Sequence, residues 1–273
     1  MRVTLTVSTW DFKHLGGQAS APEGVIRQIG SLGFVPELWL NWDPQLDFFD
    51  RPNWEHVREV VKPTAALSFH TRNDRERMVE EIELLALLGG RVLVVHPCVL
   101  SEPEYRGENP AMHPDVPFIR ELASAAREHG VFLGLENIHA RAFLDLTLEA
   151  VATFDQRGGL GICIDLGHAE MRRGHPNETP ADLIRDYGAM LLHLHVHDVV
   201  MREAGPRDHV PLGTGVMDYG EIASALREVD FNGTAALEIQ CDDPVAMIHQ
   251  GVEYLRRDFG QELICPGHHG YPA

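Results

Sequence analysis

Residues 131–136, VFLGLE, and 160–165, LGICID, are two short apolar runs whose last residues, Glu136 and Asp165, lie 29 positions apart. That interval holds one strand, one helix and two loops. Neither run alternates polar with apolar, so both read as strands buried on two faces of a parallel sheet. Working outward, the same kind of run recurs at VTLTVS (3–8), PELWLN (36–41), TAALSFH (64–70), RVLVVH (91–96), MLLHLH (190–195) and TAALEI (234–239). Between the runs lie helix signals. Met78, Ile82 and Leu85 step by three and four before the Gly89-Gly90 stop. Thr179-Pro180, Asp218 and Asp243-Pro244 each place a capping residue before an apolar periodic stretch. Eight strand-then-helix units favour a closed (β/α)8 barrel, with an open eight-stranded sheet as the alternative. No linker divides the chain, so 1–273 reads as a single domain, with 265–273 expected to be a mobile tail.

Composition narrows the functions. Acidic residues outnumber basic ones 41 to 23, a net charge of −18, and a field of that sign argues against nucleic acid and anionic membranes as partners. No apolar run reaches the roughly 18 residues of a membrane span. The start, MRVTLTVSTW, alternates like a strand rather than a signal peptide, so the chain reads as cytoplasmic. Cys98, Cys163, Cys241 and Cys265 lie far apart, which fits thiols better than a disulfide framework. The two lysines, Lys13 and Lys62, fall on the first loop and ahead of a strand, and neither suits Schiff-base chemistry. The Gly-Thr-Gly at 213–215 is a weak candidate for a phosphate contact.

In a closed barrel the carboxyl ends of the strands converge on one mouth. Read in order, those ends give His70, His96, Glu136, Asp165 and His195, with Glu238 on the last strand. His168 follows Asp165 by three, and His209 lies in the loop after the seventh strand. Crowded carboxylates repel and take up protons, and a divalent cation relieves that repulsion. Three carboxylates with one imidazole form a mainly oxygen site suited to Mn²⁺, Mg²⁺ or Co²⁺ and workable for Zn²⁺. Bland readings stand beside this one. Asp165 is equally well placed to cap a helix, His70 and His96 to be core histidines, and Trp10, Phe12 and Trp42 to pack loops. His193 and His197 share a face with His195 by period two, and only the His-x-x-Asp continuation favours His195.

LGLEN (133–137), GICIDLGHA (161–169), LHVHD (194–198) and RDHVPLGTGVMDY (207–219) resemble the xylose-isomerase-like TIM barrels, a group of sugar isomerases, sugar 3-epimerases, inosose dehydratases and, distantly, endonuclease IV. The resemblance covers nearly the whole chain. It implies that Glu136, Asp165, His195 and Glu238 hold one metal, that Glu136 and Glu238 also move protons, and that His168 and His209 face the substrate. It also allows a homo-oligomer. The endonuclease branch adds metals through further histidines. His70, His96 and His168 occupy comparable places, but Arg207 stands where the aspartate of its aspartate-x-histidine pair is expected.

The expected activity is metal-dependent isomerisation or epimerisation of a sugar or sugar phosphate through an enediolate, with His70, His96 and Trp10 lining the substrate. Dehydration of a keto-inositol on the same metal, an endonuclease IV-like phosphodiesterase and a non-catalytic sugar binder are the alternatives.

Overall fold

A computed structural model of the chain describes residues 1–13, 21–41, 46–103, 113–138, 141–151 and 159–267. Trp42 and the His268-His269 tail lie outside the described residues. Eleven strands are present among them: β1 (Arg2–Ser8), β2 (Val35–Trp39), β3 (Ser68–His70), β4 (Val92–Val95), β5 (Phe132–Glu136), β6 (Leu160–Asp165), β7 (Leu191–Val196), β8 (Asp198–Val200), β9 (Arg207–Val210), β10 (Asn232–Leu237) and β11 (Leu263–Ile264). The hydrogen-bonded order is β10-β7-β6-β5-β4-β3-β2-β1, and β1 pairs back to β10, so the sheet is a closed eight-stranded parallel barrel, a (β/α)8 fold. The short β11 adds to the outside of β1, and β8 and β9 form a separate antiparallel ribbon.

The helices are α1 (Trp10–Lys13), α2 (Pro22–Ser31), α3 (Trp54–Val61), α4 (Met78–Leu87), α5 (Val116–Glu128), α6 (Arg141–Val151), α7 (Leu166–Met171), α8 (Pro180–Tyr187), α9 (Tyr219–Glu228) and α10 (Pro244–Phe259). Their starts follow local chemistry. Thr179 and Asp182 form a reciprocal capping box on α8, and Asp218 and Asp243 accept from the backbone N–H groups of Glu221 and Ala246. After α4, Gly89 adopts φ +74, a left-handed conformation open to glycine at little cost. A Cβ at Gly90 would fall 2.7 Å from the Leu67 carbonyl, so the chain can turn this closely only without one.

The chain forms two compact units, Met1–Leu38 with Ile164–Ala273, and Trp39–Cys163. In the first, β1 is flanked by β2 and β10, and β10 by β7. Register sets Ser8 beside Glu37, Val7 beside Leu237 and Leu237 beside Val196, so Ser8, Glu37 and Glu238 fall together at the strand ends, with His195 beside Ala236 two residues earlier. In the second, β3, β4, β5 and β6 pair in sequence, with His70 beside Val94, Val95 beside Leu135 and Glu136 beside Cys163. The third strand is shorter than the sequence suggests. Thr64–Leu67 forms a turn closed by the Leu67 N–H on the Thr64 carbonyl, and only Ser68–His70 joins the sheet.

Candidate metal centre

In the first unit, three of the four expected ligands come together. Asp165 ends β6 and also caps α7, its Oδ1 accepting the His168 N–H at 2.7 Å, so the capping reading holds and Oδ2 is left to face the barrel mouth's other candidates. Its Oδ2 lies 3.7 Å from His195 Nδ1. Glu238, one residue beyond β10, places Oε2 3.4 Å from the same Nδ1, while its Oε1 accepts from the Ser8 hydroxyl at 3.2 Å. Asp165 and His195 are fully buried and Glu238 nearly so.

The donor set fits a divalent cation. Ligands bound at about 2.1 Å stand about 3.0 Å apart in octahedral and about 3.4 Å apart in tetrahedral geometry. The imidazole nitrogen of His195 faces two carboxylate oxygens at close to that spacing, and the set of two hard oxygens with one nitrogen suits the ions named above. Burial pushes the Asp165 carboxyl up, but the charges of His168 and His197 outweigh it and hold the group well below its usual range. The carboxylate is therefore ionised.

The β7 histidines divide their work. His193, His195 and His197 are all buried on one side, as period two requires. His193 places Nδ1 at 2.6 Å from the Thr234 hydroxyl and Nε2 at 2.8 Å from Glu37. His197 holds Asp165 with Nε2 at 3.0 and 3.1 Å from its two oxygens. The His209 N–H donates to His197 Nδ1 at 2.9 Å, which puts the ring proton on Nε2. Burial lowers the His197 pKa, but the Asp165 charge and hydrogen bond outweigh it and raise the group above its ordinary value.

Around these groups lie His168, Asp208, His209 and Trp10. His168 Nε2 lies 3.6 Å from Asp208, whose carboxyl is held at about 2, chiefly by the hydrogen bond with His168. His209 stacks on His197 with ring centroids 4.0 Å apart, and the Trp10 ring packs against it at 4.7 Å. Burial and the neighbouring His197 lower the His209 pKa to about 4, so this imidazole is neutral near pH 7. Its Nδ1 faces the Glu238 carbonyl at 3.2 Å.

The final Asp of the LHVHD stretch has a structural role. Asp198 accepts from the backbone N–H groups of Val199, Gly213, Gly215 and Met217 at 2.8–3.1 Å. The Gly213 and Gly215 N–H groups thus point at Asp198, which removes the phosphate reading of that Gly-Thr-Gly loop.

The second unit holds Glu136 at the end of β5. His96 Nε2 lies 3.1 Å and His70 Nε2 3.4 Å from its Oε2. Burial lowers the His96 pKa, but the Glu136 charge outweighs it and raises the group to about 9, an imidazolium beside a carboxylate. The Trp39 indole N–H donates to His70 Nδ1 at 2.7 Å.

In the first unit, two residues outside the expected set are also buried. Glu37, on β2, faces His193 and His195, and their charges outweigh burial to hold its carboxyl well below its usual range. Asp11 accepts the Ile239 N–H at 2.8 Å, and burial, with Glu238 and Glu37 nearby, raises its pKa well above the usual value. The signal for Glu37 in the sequence was a single carboxylate inside the apolar run PELWLN.

The family model described as "Xylose isomerase-like TIM barrel" matches residues 60–258. The chain belongs to that family. A D-psicose 3-epimerase from Enterocloster bolteae is 32% identical over 122 residues, 44% of this chain. The match spans 37% of that relative's length. Among solved structures, a D-tagatose 3-epimerase-like protein superposes with TM-score 0.66 at 22% identity, covering 94% of this chain and 98% of the other. A structure of the IOLI protein with a binding zinc atom has TM-score 0.64 at 17% identity, covering 96% of this chain and all of the other. Both structures share the fold. Among the described residues, no helix is long and apolar enough to cross a membrane.

Proposed function

We propose that this family member is a one-domain, divalent-metal-dependent sugar isomerase or epimerase acting on an unphosphorylated ketose or aldose. The observation that carries the reading is the His195 Nδ1 placed 3.4 Å from Glu238 and 3.7 Å from Asp165. Glu136 is taken as the fourth ligand on the family resemblance. The likeness to a D-psicose 3-epimerase and to a D-tagatose 3-epimerase-like protein supports sugar epimerisation.

When bound, the cation supplies Lewis-acid stabilisation of the negative charge that develops on the substrate's oxygens. The chain's own residues do the rest. Glu238 or Glu136 removes the proton from the carbon beside the carbonyl, and the other returns it. Ser8 orients Glu238 by donating to its Oε1. His209, neutral and with Nδ1 toward the Glu238 carbonyl, presents Nε2 as an acceptor for a substrate hydroxyl. His168 contributes a second polar contact, and Trp10 covers a C–H face of the sugar. The ionised Asp208 disfavours a phosphate group near this rim and favours a neutral substrate.

The test is deuterium uptake from D₂O, followed by NMR, with metal-loaded protein and a panel of free ketoses. The reading expects exchange at one carbon that stops on chelation and returns with Mn²⁺. Loaded protein that exchanges no sugar proton sinks it, and an enone product assigns dehydration instead.

A further inference from the structure

We infer that Glu37 is a positioning residue that fixes which nitrogen of His195 faces the cation, an inference that rests on the metal-site reading above. Glu37 is fully buried on β2, and a carboxylate there is held only where donors satisfy it. Each of its oxygens faces one imidazole. Oε2 lies 2.8 Å from His193 Nε2, and Oε1 lies 3.4 Å from His195 Nε2. A carboxylate oxygen accepts, so an Nε2–H on each ring suits this arrangement. His193 is held at its other edge by Thr234 Oγ1 at 2.6 Å and keeps Glu37 in place.

The consequence falls on His195. With Nε2 turned to Glu37, Nδ1 is the nitrogen that faces Glu238 and Asp165. A cation at this edge would take the place of any proton on Nδ1 and make ligands of His195, Glu238 and Asp165. A carboxylate behind a metal-bound histidine also raises the ring's basicity. Glu37 could instead be read as a ligand, because it, His195 and Glu238 bring ligand atoms within 4.8 Å of one another. The ring edges decide between these roles. Glu37 faces Nε2 while Glu238 and Asp165 face Nδ1, and the two nitrogens of one imidazole do not bind the same ion.

The experiment is Mn²⁺ affinity by chelator competition for the wild-type chain and Glu37→Gln, with circular dichroism to confirm the fold. The expected result is one Mn²⁺ per chain in both, about 10- to 100-fold weaker in the variant. Unchanged affinity overturns the inference, as does loss of one oxygen ligand in the variant's X-ray absorption spectrum, which would make Glu37 a ligand. A second measurement needs no variant. Nitrogen-15 NMR of the zinc-loaded wild type should find His195 protonated at Nε2 and metal-bound at Nδ1, and the reverse pattern overturns the inference. A wild-type chain that binds no divalent ion overturns the proposed function as well. Wild-type binding with an indifferent Glu37 variant overturns this inference alone.

Discussion

The Trp39 indole N–H donates to Nδ1 of His70 at 2.7 Å, and this fixes the proton of His70 on Nε2, the atom that lies 3.4 Å from Glu136. An indole N–H can only donate, so the Nδ1 it meets must offer a lone pair. His70 is therefore arranged as a donor toward Glu136. A metal-bound histidine has the opposite arrangement, giving its far N–H to a carbonyl or carboxylate. This separates the cluster of His70, His96 and Glu136 from a second metal site and disfavours the phosphodiesterase alternative.

Trp39→Phe tests that arrangement. The phenyl ring removes the donor, and the Thr71 carbonyl, 3.3 Å from His70 Nδ1, is then able to accept a proton there. Zinc content by mass spectrometry should rise from about one toward two ions per chain. A variant that stays at one ion shows that the indole does not limit the metal count.

Glu136→Gln and Glu238→Gln should each lower sugar-proton exchange by at least about 10²-fold, the lower range for loss of a general base. Steady-state NMR in D₂O is the readout. A variant with wild-type exchange removes its residue from the proton path.

Gly167→Ala should disturb the site without touching a proposed ligand. A Cβ there would sit 2.0 Å from His197 Cε1, so the ring that holds both oxygens of Asp165 must move. Overpacking of this kind costs about 1–3 kcal/mol of stability. Chemical denaturation should read that loss, together with weaker Mn²⁺ binding. Unchanged affinity would show that His197 does not steady Asp165.

Glu81 makes a pH prediction away from the site. Burial raises its pKa from 4.5 to about 7, although the Thr71 hydroxyl and the Arg72 N–H donate to it. Because the folded-state pKa lies above the unfolded one, the folded chain binds the proton more tightly. The associated stability is complete below about pH 4.5 and is lost as pH rises through 7, a change on the order of 3 kcal/mol. Glu81→Gln should remove this slope. Urea denaturation of both proteins at pH 5 and pH 8 measures it, and parallel pH dependences would contradict the assignment.

Much of the barrel was legible because its signals are local. Glu136 and Asp165 end continuous apolar strands, and Thr179, Asp218 and Asp243 announce their helices through side-chain caps. The β8–β9 ribbon was not anticipated. Asp198 begins it directly after β7, and it is held by four backbone groups that converge on Asp198 only in the folded chain. The site was legible as a set of strand ends, but the division of labour along LHLHVHD was not. His193, His195 and His197 share a face, and their roles follow from Thr234, Glu37, Asp165 and Glu238, which belong to other strands. Glu37 looked unremarkable for the same reason, since its partners are more than 150 residues away in sequence.

The central claim is that one divalent ion is held by a single imidazole, His195, amid carboxylates. X-ray absorption of the zinc-loaded chain measures this most directly. One zinc per chain is expected, with one imidazole nitrogen and otherwise oxygen ligands at about 2.0–2.2 Å. A shell with two or more imidazoles, or with sulfur, would contradict it.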